Sequence, residues 1–340
     1  MSQFSPLLLR FLILGYVFWT SEAWHVYLPS NIRALEGSCV YIPCHFDYYR
    51  YPPKRPSRVV WYQWADHSYP LVCDDWYPND VIDQYRGRTS VHTNDNRCSL
   101  YISEVTWFHH SQKLYPWVDP ENVGRSTYRF FDTTFFTFPF VDRPEDPEIT
   151  ITGERKVGKT VTVKCSADHT CYRNSPTLSL NIPLKDKHET ENSLGGGVYR
   201  VILTTTFTIR KQHETIECTV QHYGGKRART STAINAQCSS LALSISPPST
   251  EFLEGDAATV TCTALYSCPH YAPTLTWNYA SMPASTSTSQ VSGQARWKTV
   301  STLTFTSAAK DHGKQLTCSA QYSEGRTETS IPLRVKSKCQ

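Results

Sequence analysis

Residues 162–178 read TVKCSADHTCYRNSPTL, and residues 259–275 read TVTCTALYSCPHYAPTL. The two segments share a Thr-Val start, both cysteines and a closing Pro-Thr-Leu, and they begin 97 residues apart (259 − 162). The likeness continues downstream, where Glu-Cys218-Thr corresponds to Thr-Cys318-Ser. The chain therefore contains two tandem copies of one module.

Short runs between these cysteines alternate polar and apolar residues, as in 201–209 and 299–306, and are rich in Thr, Val, Phe and Ile. This alternation predicts antiparallel strands packed as two sheets, and not helices. Trp277 lies 15 residues after Cys262 and 41 before Cys318, the order typical of an immunoglobulin-type sandwich. We therefore predict an all-β fold with the disulfide Cys262–Cys318.

The earlier copy keeps the cysteine pair but not the tryptophan. Its cysteines predict the disulfide Cys165–Cys218, and Leu180 takes the place that Trp277 has in the later copy. Because leucine is smaller than tryptophan, we expect it to fill that part of the core less fully. These buried positions carry no predicted function.

Three sandwiches would fill the chain of 340 residues. The N-terminus resembles a removable export signal at 1–23, because an apolar run at 11–19 follows Arg10 and small residues stand at 21 and 23. A membrane anchor, the alternative, needs about 20 apolar residues, more than this run has. We predict three tandem immunoglobulin-like β-sandwiches, one V-type at 24–142 and two constant-type at 143–238 and 239–340.

Composition excludes several classes of protein. Charged residues make up 19% and aromatic residues 13%, and the net charge is +4, so the chain can bury cores and lacks the basic excess of a nucleic-acid-binding protein. Twelve cysteines against two methionines indicate a disulfide framework in an oxidising compartment. We expect an extracellular protein, secreted or at the cell surface, with no membrane anchor in this chain.

Motifs for catalysis and metal binding are missing from the sequence. There is no Gly-x-Ser-x-Gly elbow, no His-Glu-x-x-His helix and no Cys-x2-Cys pair, and the glycines at 195–197 lack the Lys-Ser/Thr of a phosphate-binding loop. We therefore expect neither an enzyme nor a bound metal or cofactor.

The first third of the chain departs from the repeat. Cys39 and Cys44 lie five residues apart, Trp61 follows, and no cysteine lies near Tyr115, where the second cysteine of a sandwich is usual. Cys44 then pairs with Cys98 on an earlier strand. Cysteines on adjacent strands of one sheet hold the two sheets together less tightly, so the sandwich can open at its edge.

This cysteine arrangement, with EGSCVYIPC at 36–44 and NRCSL at 96–100, resembles the siglecs, the sialic-acid-binding immunoglobulin-like lectins. The nearest branch is that of neural and B-cell receptors. The resemblance implies a disulfide Cys39–Cys171 across the first domain boundary. By the repeat, Cys238 and Cys268 are then expected to bond across the second boundary.

Two cysteines remain after these pairings. Cys73, between Val72 and two aspartates, is expected either at a solvent-open strand end, available for an intermolecular bond, or buried as an inert thiol. Cys339 is expected to be unpaired, or bonded to a fourth domain absent from this chain.

In siglecs an arginine pairs with the sialic acid carboxylate, and aromatic residues flank the sugar. The resemblance places Trp117 at the arginine position, beside Pro116, which is expected to interrupt the strand ladder. Trp24 and Tyr128 correspond to the flanking aromatic residues. Arg125 and Arg129 either supply the missing cation from another direction or are solvated hairpin arginines.

A second candidate contact surface is the loop before Trp61, where the cations Arg50, Lys54, Arg55 and Arg58 stand among tyrosines and prolines. This loop either contacts an acidic partner or is simply solvated.

The sequence leaves two functional hypotheses for the first domain. It recognises a sialylated glycoprotein or glycolipid on immune or neural cells, or it is an adhesion or receptor module that binds a cell-surface protein and no sugar. The substitution by Trp117 favours the second.

Overall fold

A computed structural model describes residues 25–47, 58–122, 136–137, 139–247, 251–279, 282–292 and 296–337. In these ranges the regular structure is strand, with short 3-10 turns and no α-helix. The expected all-β chain of three immunoglobulin-like sandwiches is confirmed. Among the residues described, no helix has the length and hydrophobicity needed to cross a membrane.

The described part of the first sandwich contains eleven short strands. They are β1 Val26–Tyr27, β2 Ala34–Leu35, β3 Val40–Ile42, β4 His45–Phe46, β5 Val59–Gln63, β6 Leu71–Cys73, β7 Thr89–His92, β8 Ser99–Ile102, β9 Lys113–Val118, β10 Phe136–Thr137 and β11 Phe140–Val141. One sheet has the order β10-β9-β5-β6 and the other β3-β8-β7, and two small pairs, β1-β4 and β11-β2, complete the unit.

The second sandwich follows the predicted alternation closely. Its strands are β12 Glu148–Thr152, β13 Thr160–His169, β14 Thr177–Leu180, β15 Lys185–Gly195, β16 Val198–Thr208, β17 His213–Gln221 and β18 Arg227–Asn235. The sheets have the orders β12-β13-β16-β15 and β14-β17-β18. Along β13 every second side chain is buried, because successive residues of a strand point to opposite faces.

The third sandwich repeats this plan. Its strands are β19 Ser240–Ser246, β20 Glu251–Leu253, β21 Ala257–Tyr266, β22 Thr274–Trp277, β23 Ala284–Gln290, β24 Trp297–Thr306, β25 Gln315–Tyr322, β26 Gly325–Pro332 and β27 Arg334–Lys336. Its main sheets are β19-β21-β24-β23 and β22-β25-β26, with β20 pairing β27 in parallel. The domain boundaries given above stay predictions.

Register explains the exchange of Trp277 for Leu180. Trp277 lies opposite Cys318 in the pairing of β22 with β25, and Leu180 lies opposite Cys218 in the pairing of β14 with β17. Trp277 packs in one core cluster with its disulfide. The buried residues of the second sandwich, in contrast, form two separate clusters, each with Leu180 at its margin.

Five disulfides join the same cysteine pairs that the sequence analysis expects. They are Cys39–Cys171, Cys44–Cys98, Cys165–Cys218, Cys238–Cys268 and Cys262–Cys318. Cys44 and Cys98 follow β3 and precede β8, two neighbouring strands of one sheet. The core of the first sandwich is centred on Trp61, whose indole N–H donates to the Cys98 carbonyl at 2.8 Å.

The junction between the first two sandwiches is closely packed. Besides Cys39–Cys171, the backbone N–H of Tyr41 donates to the Thr170 carbonyl at 2.9 Å. Gly197 has φ +86°, and a Cβ there would overlap the carbonyl of Tyr41. Only glycine lets the turn after β15 approach the first sandwich this closely.

One detail differs from the expectations, and another decides between two alternatives. The pairing of β5 with β9 runs unbroken through Pro116, which lies opposite Trp61, so the predicted interruption of this ladder is wrong. Cys73 is buried and free, so its strand end is not open to solvent, and the alternative of a buried thiol describes it. The proposed export signal, the loop cations Arg50, Lys54 and Arg55, and Cys339 lie outside the described residues.

Candidate functional site

The sheet β10-β9-β5-β6 presents an aromatic outer face. On β5 the core-facing Trp61 alternates with Tyr62, and on β9 the core-facing Leu114 and Val118 alternate with Tyr115 and Trp117. Because side chains alternate along strands, the residues between the core positions point away from the core. Trp117, the residue at the predicted site, therefore belongs to the outer face of this sheet.

The rings of this face contact one another. Ring centroids of Tyr62 lie 5.9 Å from Tyr115, 6.1 Å from Trp117 and 6.3 Å from Tyr69, and Trp64 lies 6.2 Å from Tyr115. Trp64 is 38% exposed and Tyr69 49% exposed, whereas Tyr115 is buried. We call these five residues, Tyr62, Trp64, Tyr69, Tyr115 and Trp117, the aromatic face.

Arg58 lies at one end of the aromatic face, just before β5. Its guanidinium donates to both carboxylate oxygens of Asp74, with Nε to Oδ1 at 3.3 Å, and it also pairs with Glu121. Trp76 and Tyr77 lie 4.4 and 5.3 Å from the same guanidinium, a cation–π arrangement. The sequence predicts that this arginine either contacts an acidic partner or is solvated, and this prediction is wrong, because its guanidinium is engaged by groups of the same domain.

A groove of about 550 Å³ runs from Arg58 past Tyr62 to Tyr69. Among the described residues that line it, the charged ones are Arg58, Asp74, Asp80 and Glu121, which contribute three carboxylates and one guanidinium, a net formal charge of −2. Burial, aided by the Asp74 carboxylate, raises the pKa of Tyr62, so its hydroxyl stays neutral at physiological pH. The groove therefore favours a ligand with apolar and basic groups over an anion.

Of the five residues predicted for the ligand site, only one lies among the residues that the structure describes. Trp117 lies in the aromatic face, whereas Trp24, Arg125, Tyr128 and Arg129 fall outside the described residues. Sequence reasoning missed the carboxylates of the groove, which no local motif marks. It could have found Tyr62 and Trp64, because alternation from the core residue Trp61 places both on the outer face.

The described residues contain neither a metal site nor a reactive cysteine. No group of three His, Cys, Asp or Glu side chains among them could hold a metal ion. Burial raises the pKa of the Cys73 thiol to about 11, so it is protonated and a poor nucleophile at neutral pH.

Comparisons with known proteins agree with the fold. Residues 243–329 match the family described as the CD80-like C2-set immunoglobulin domain. Myelin-associated glycoprotein of Homo sapiens is 29% identical over 168 residues, which is 46% of this chain and 24% of that protein. Schwann cell myelin protein of Coturnix japonica is 30% identical over 94 residues, 25% of this chain and 15% of that protein. The chain spans about a quarter or less of the length of these curated relatives.

Solved structures with several immunoglobulin domains are also similar. The mouse nectin-like molecule 4 ectodomain covers 92% of this chain and 99% of its own, at 16% identity and a TM-score of 0.32. A complex of Dpr2 with DIP-Theta covers 93% of this chain and 100% of its own chain, at 16% identity and a TM-score of 0.33. The chain is therefore built of immunoglobulin-like domains, and part of it is similar in sequence to myelin-associated glycoprotein.

Proposed function

We propose that this chain is an extracellular recognition protein whose first sandwich binds a cell-surface protein ligand through the aromatic face and its groove. The observation that carries the proposal is the charge of the groove. Three carboxylates line the described part of the groove, and Arg58, the arginine among the described lining residues, is already paired with Asp74 and Glu121.

A sialic acid ligand is the weaker alternative for this face. Its carboxylate requires an unengaged cation, and an arginine is suited because its fork matches a carboxylate. Here Trp117 stands at the position that the siglec resemblance assigns to that arginine, and an added anion would meet the groove's carboxylates. Tyrosine and tryptophan, in contrast, offer large contact areas at low entropic cost and are enriched at protein interfaces.

To test the proposal, the full chain is labelled with a fluorophore, and its binding is measured to neural and leukocyte cells that have been treated with sialidase or with a protease. We expect binding to survive sialidase and to be lost after proteolysis of surface proteins. Tyr69→Ser should weaken it, because Tyr69 is exposed at the rim of the groove. Tyr223→Ser is the matched control, since Tyr223 is similarly exposed on the second sandwich. Binding that sialidase abolishes would favour the lectin hypothesis.

The sugar question has a direct test of its own. A titration of the chain with 3′-sialyllactose at millimolar concentration, followed by NMR, should leave the resonances of Tyr62, Tyr69 and Trp117 in the aromatic face unshifted. Trp117→Arg should raise the affinity of this face if its other residues suffice to orient the sugar. Saturable shifts of these resonances in the unchanged chain would contradict the proposal.

A further inference from the structure

A second pocket lies between the first two sandwiches, on the opposite side of the first sandwich from the aromatic face. It has a volume of about 560 Å³. The first sandwich contributes Tyr27, Tyr41, His45 and Arg97, and the second contributes Tyr172, Tyr199 and the turn at Gly196. Neither sandwich alone forms this pocket.

The walls of the pocket are held in place by the junction. Tyr41 follows Cys39 in β3, and Tyr172 follows Cys171, so the interdomain disulfide fixes the chain directly beneath both tyrosines. Their ring centroids are 5.2 Å apart, and Tyr172 lies 5.6 Å from Tyr199. The pocket therefore offers a rigid aromatic wall before any ligand arrives, which lowers the entropic cost of binding.

The charge of this pocket is opposite to that of the groove. The described residues that line it include no acidic side chain, whereas they do include Arg97 and two histidines, His45 and His92. Arg97 is exposed, and among the described residues no carboxylate lies within ion-pair distance of its guanidinium. An anion that enters the pocket can therefore pair with the Arg97 guanidinium without displacing a carboxylate of the protein.

Two carboxylates lie near the pocket without lining it. Asp47 accepts a hydrogen bond from the Tyr27 hydroxyl at 2.9 Å and lies 4.0 Å from His45. Glu191 accepts a hydrogen bond from the Ser175 hydroxyl and lies 3.3 Å from the His169 ring. Both are held by other groups, so the positive character of the pocket is carried by Arg97.

Hydroxyl groups supply further donors. Burial is the main reason that the pKa of Tyr199 rises to about 12, so its hydroxyl keeps its proton and can donate to an anion. A ligand suited to this wall has an apolar face to lie against the tyrosine rings, several hydroxyl groups, and one negative charge for Arg97.

We propose that the junction pocket binds an acidic sugar, whose carboxylate or sulfate pairs with Arg97 while a sugar ring lies against Tyr172 and Tyr41. This site is separate from the aromatic face and does not depend on the function proposed for it. The guanidinium fork can bind either anion through two parallel hydrogen bonds. The shared requirement is therefore a negative charge on a sugar ring.

The test is a calorimetric or NMR titration of the full chain with three tetrasaccharides. Chondroitin sulfate provides carboxylate and sulfate, hyaluronan provides carboxylate alone, and chitotetraose is the neutral control. We expect the first to bind, with chemical shift changes or heats that chitotetraose does not produce. Binding of hyaluronan as well identifies the carboxylate as sufficient, and its failure to bind identifies the sulfate as the anion that Arg97 holds.

Variants locate the site. Arg97→Gln should weaken binding of the acidic tetrasaccharide by about tenfold or more, since a charge-assisted pair is removed. Arg334→Gln, which removes an exposed arginine from the third sandwich, should leave it unchanged. Tyr172→Ala should weaken binding, and Tyr172→Phe should largely restore it because the ring remains.

Three outcomes would each overturn the proposal. Neither acidic tetrasaccharide binds at millimolar concentration, chitotetraose binds as well as the acidic tetrasaccharides, or Arg97→Gln weakens binding no more than Arg334→Gln. The melting temperature of each variant, compared with that of the unchanged chain, shows that a loss of binding is not a loss of fold.

Discussion

Arg58 and Asp74 form a two-point ion pair that is almost completely withdrawn from water. The exposed fractions of their side chains are 12% and 3%. The backbone N–H of Trp76 also donates to the Asp74 carboxylate, at 2.9 Å. The pair thereby ties the start of β5 to the segment after β6 and defines one end of the groove.

Arg58→Met should destabilise the first sandwich by about 2–4 kcal/mol, because the buried Asp74 carboxylate loses its partner. The measurement is the free energy of unfolding in guanidinium chloride. Arg88→Met is the control, since Arg88 and Glu104 form an exposed pair at 3.8 Å, worth about 0–1 kcal/mol. Equal costs for the two variants would contradict this account of the groove.

The plan of the second and third sandwiches could be predicted from the sequence, because it depends on local alternation and on cysteine spacing. The same spacing placed Leu180 at the position of Trp277, and in the structure each of the two lies opposite the second cysteine of its sandwich. The groove could not be predicted, because Arg58, Asp74 and Glu121 come from three segments that only the fold brings together.

The error at Pro116 has a physical reason. Proline lacks the N–H group and is tolerated where a strand has no neighbour that needs it. Trp64 donates its N–H to the Lys113 carbonyl and Asp119 donates its N–H to the Arg58 carbonyl, so hydrogen-bonded pairs alternate along this antiparallel ladder and the pair Trp61–Pro116 is one that exchanges no hydrogen bonds. The pairing with β5 can then continue past it.

Trp277→Leu should destabilise the third sandwich by about 2–4 kcal/mol, because it leaves a cavity beside the disulfide. The indole N–H also donates to the buried Ser301 hydroxyl at 3.1 Å, which would lose this partner. Calorimetry of the unfolding transition measures the loss. Trp64→Leu, at an exposed position of the aromatic face, should cost under about 1 kcal/mol, and a similar cost for both would refute the role of Trp277.

We expect the buried thiol of Cys73 to lower the free energy of unfolding at alkaline pH. Burial raises the pKa of its thiol from 9.0 to about 11, so between these values the folded state keeps a proton that the unfolded state has released. The stabilisation is present below pH 9 and decreases by about 2–3 kcal/mol as the pH rises to 11.

The Cys73→Ala variant should lack this component of the pH dependence, which unfolding titrations of both proteins at matched pH would reveal. The native chain should also resist thiol reagents at pH 8 and react after unfolding. Rapid labelling of Cys73 in the folded protein would show that the thiol is accessible.

His222 should make the first junction sensitive to acid. Burial, with the neighbouring His169, lowers the pKa of His222 to about 4, and its Nε2 has no hydrogen-bond partner. Between pH 6.5 and pH 4, His222 is therefore protonated in the unfolded state and neutral in the folded state. Stability is full above pH 6.5 and falls by about 2–4 kcal/mol on acidification to pH 4.

His222→Gln should flatten this part of the stability profile, measured by denaturant unfolding at a series of pH values. His270→Gln, at an exposed position of the third sandwich, should not change it. A profile for His222→Gln that parallels that of the unchanged chain would show that another group controls the acid response.

The disulfide between Cys39 and Cys171 joins residues 132 apart in sequence and so creates a second covalent route from the first sandwich to the second. Under tension, a load taken up by the first sandwich enters the second both through the main chain and through this bond. Cys39 immediately precedes β3, and Cys171 follows the end of β13. A pulling force can therefore reach the second sandwich without first extending the chain between these two cysteines. Cys238–Cys268 provides the same parallel route at the next junction. A pull on a ligand bound to the first sandwich would therefore be carried across each junction by two covalent connections, the main chain and a disulfide.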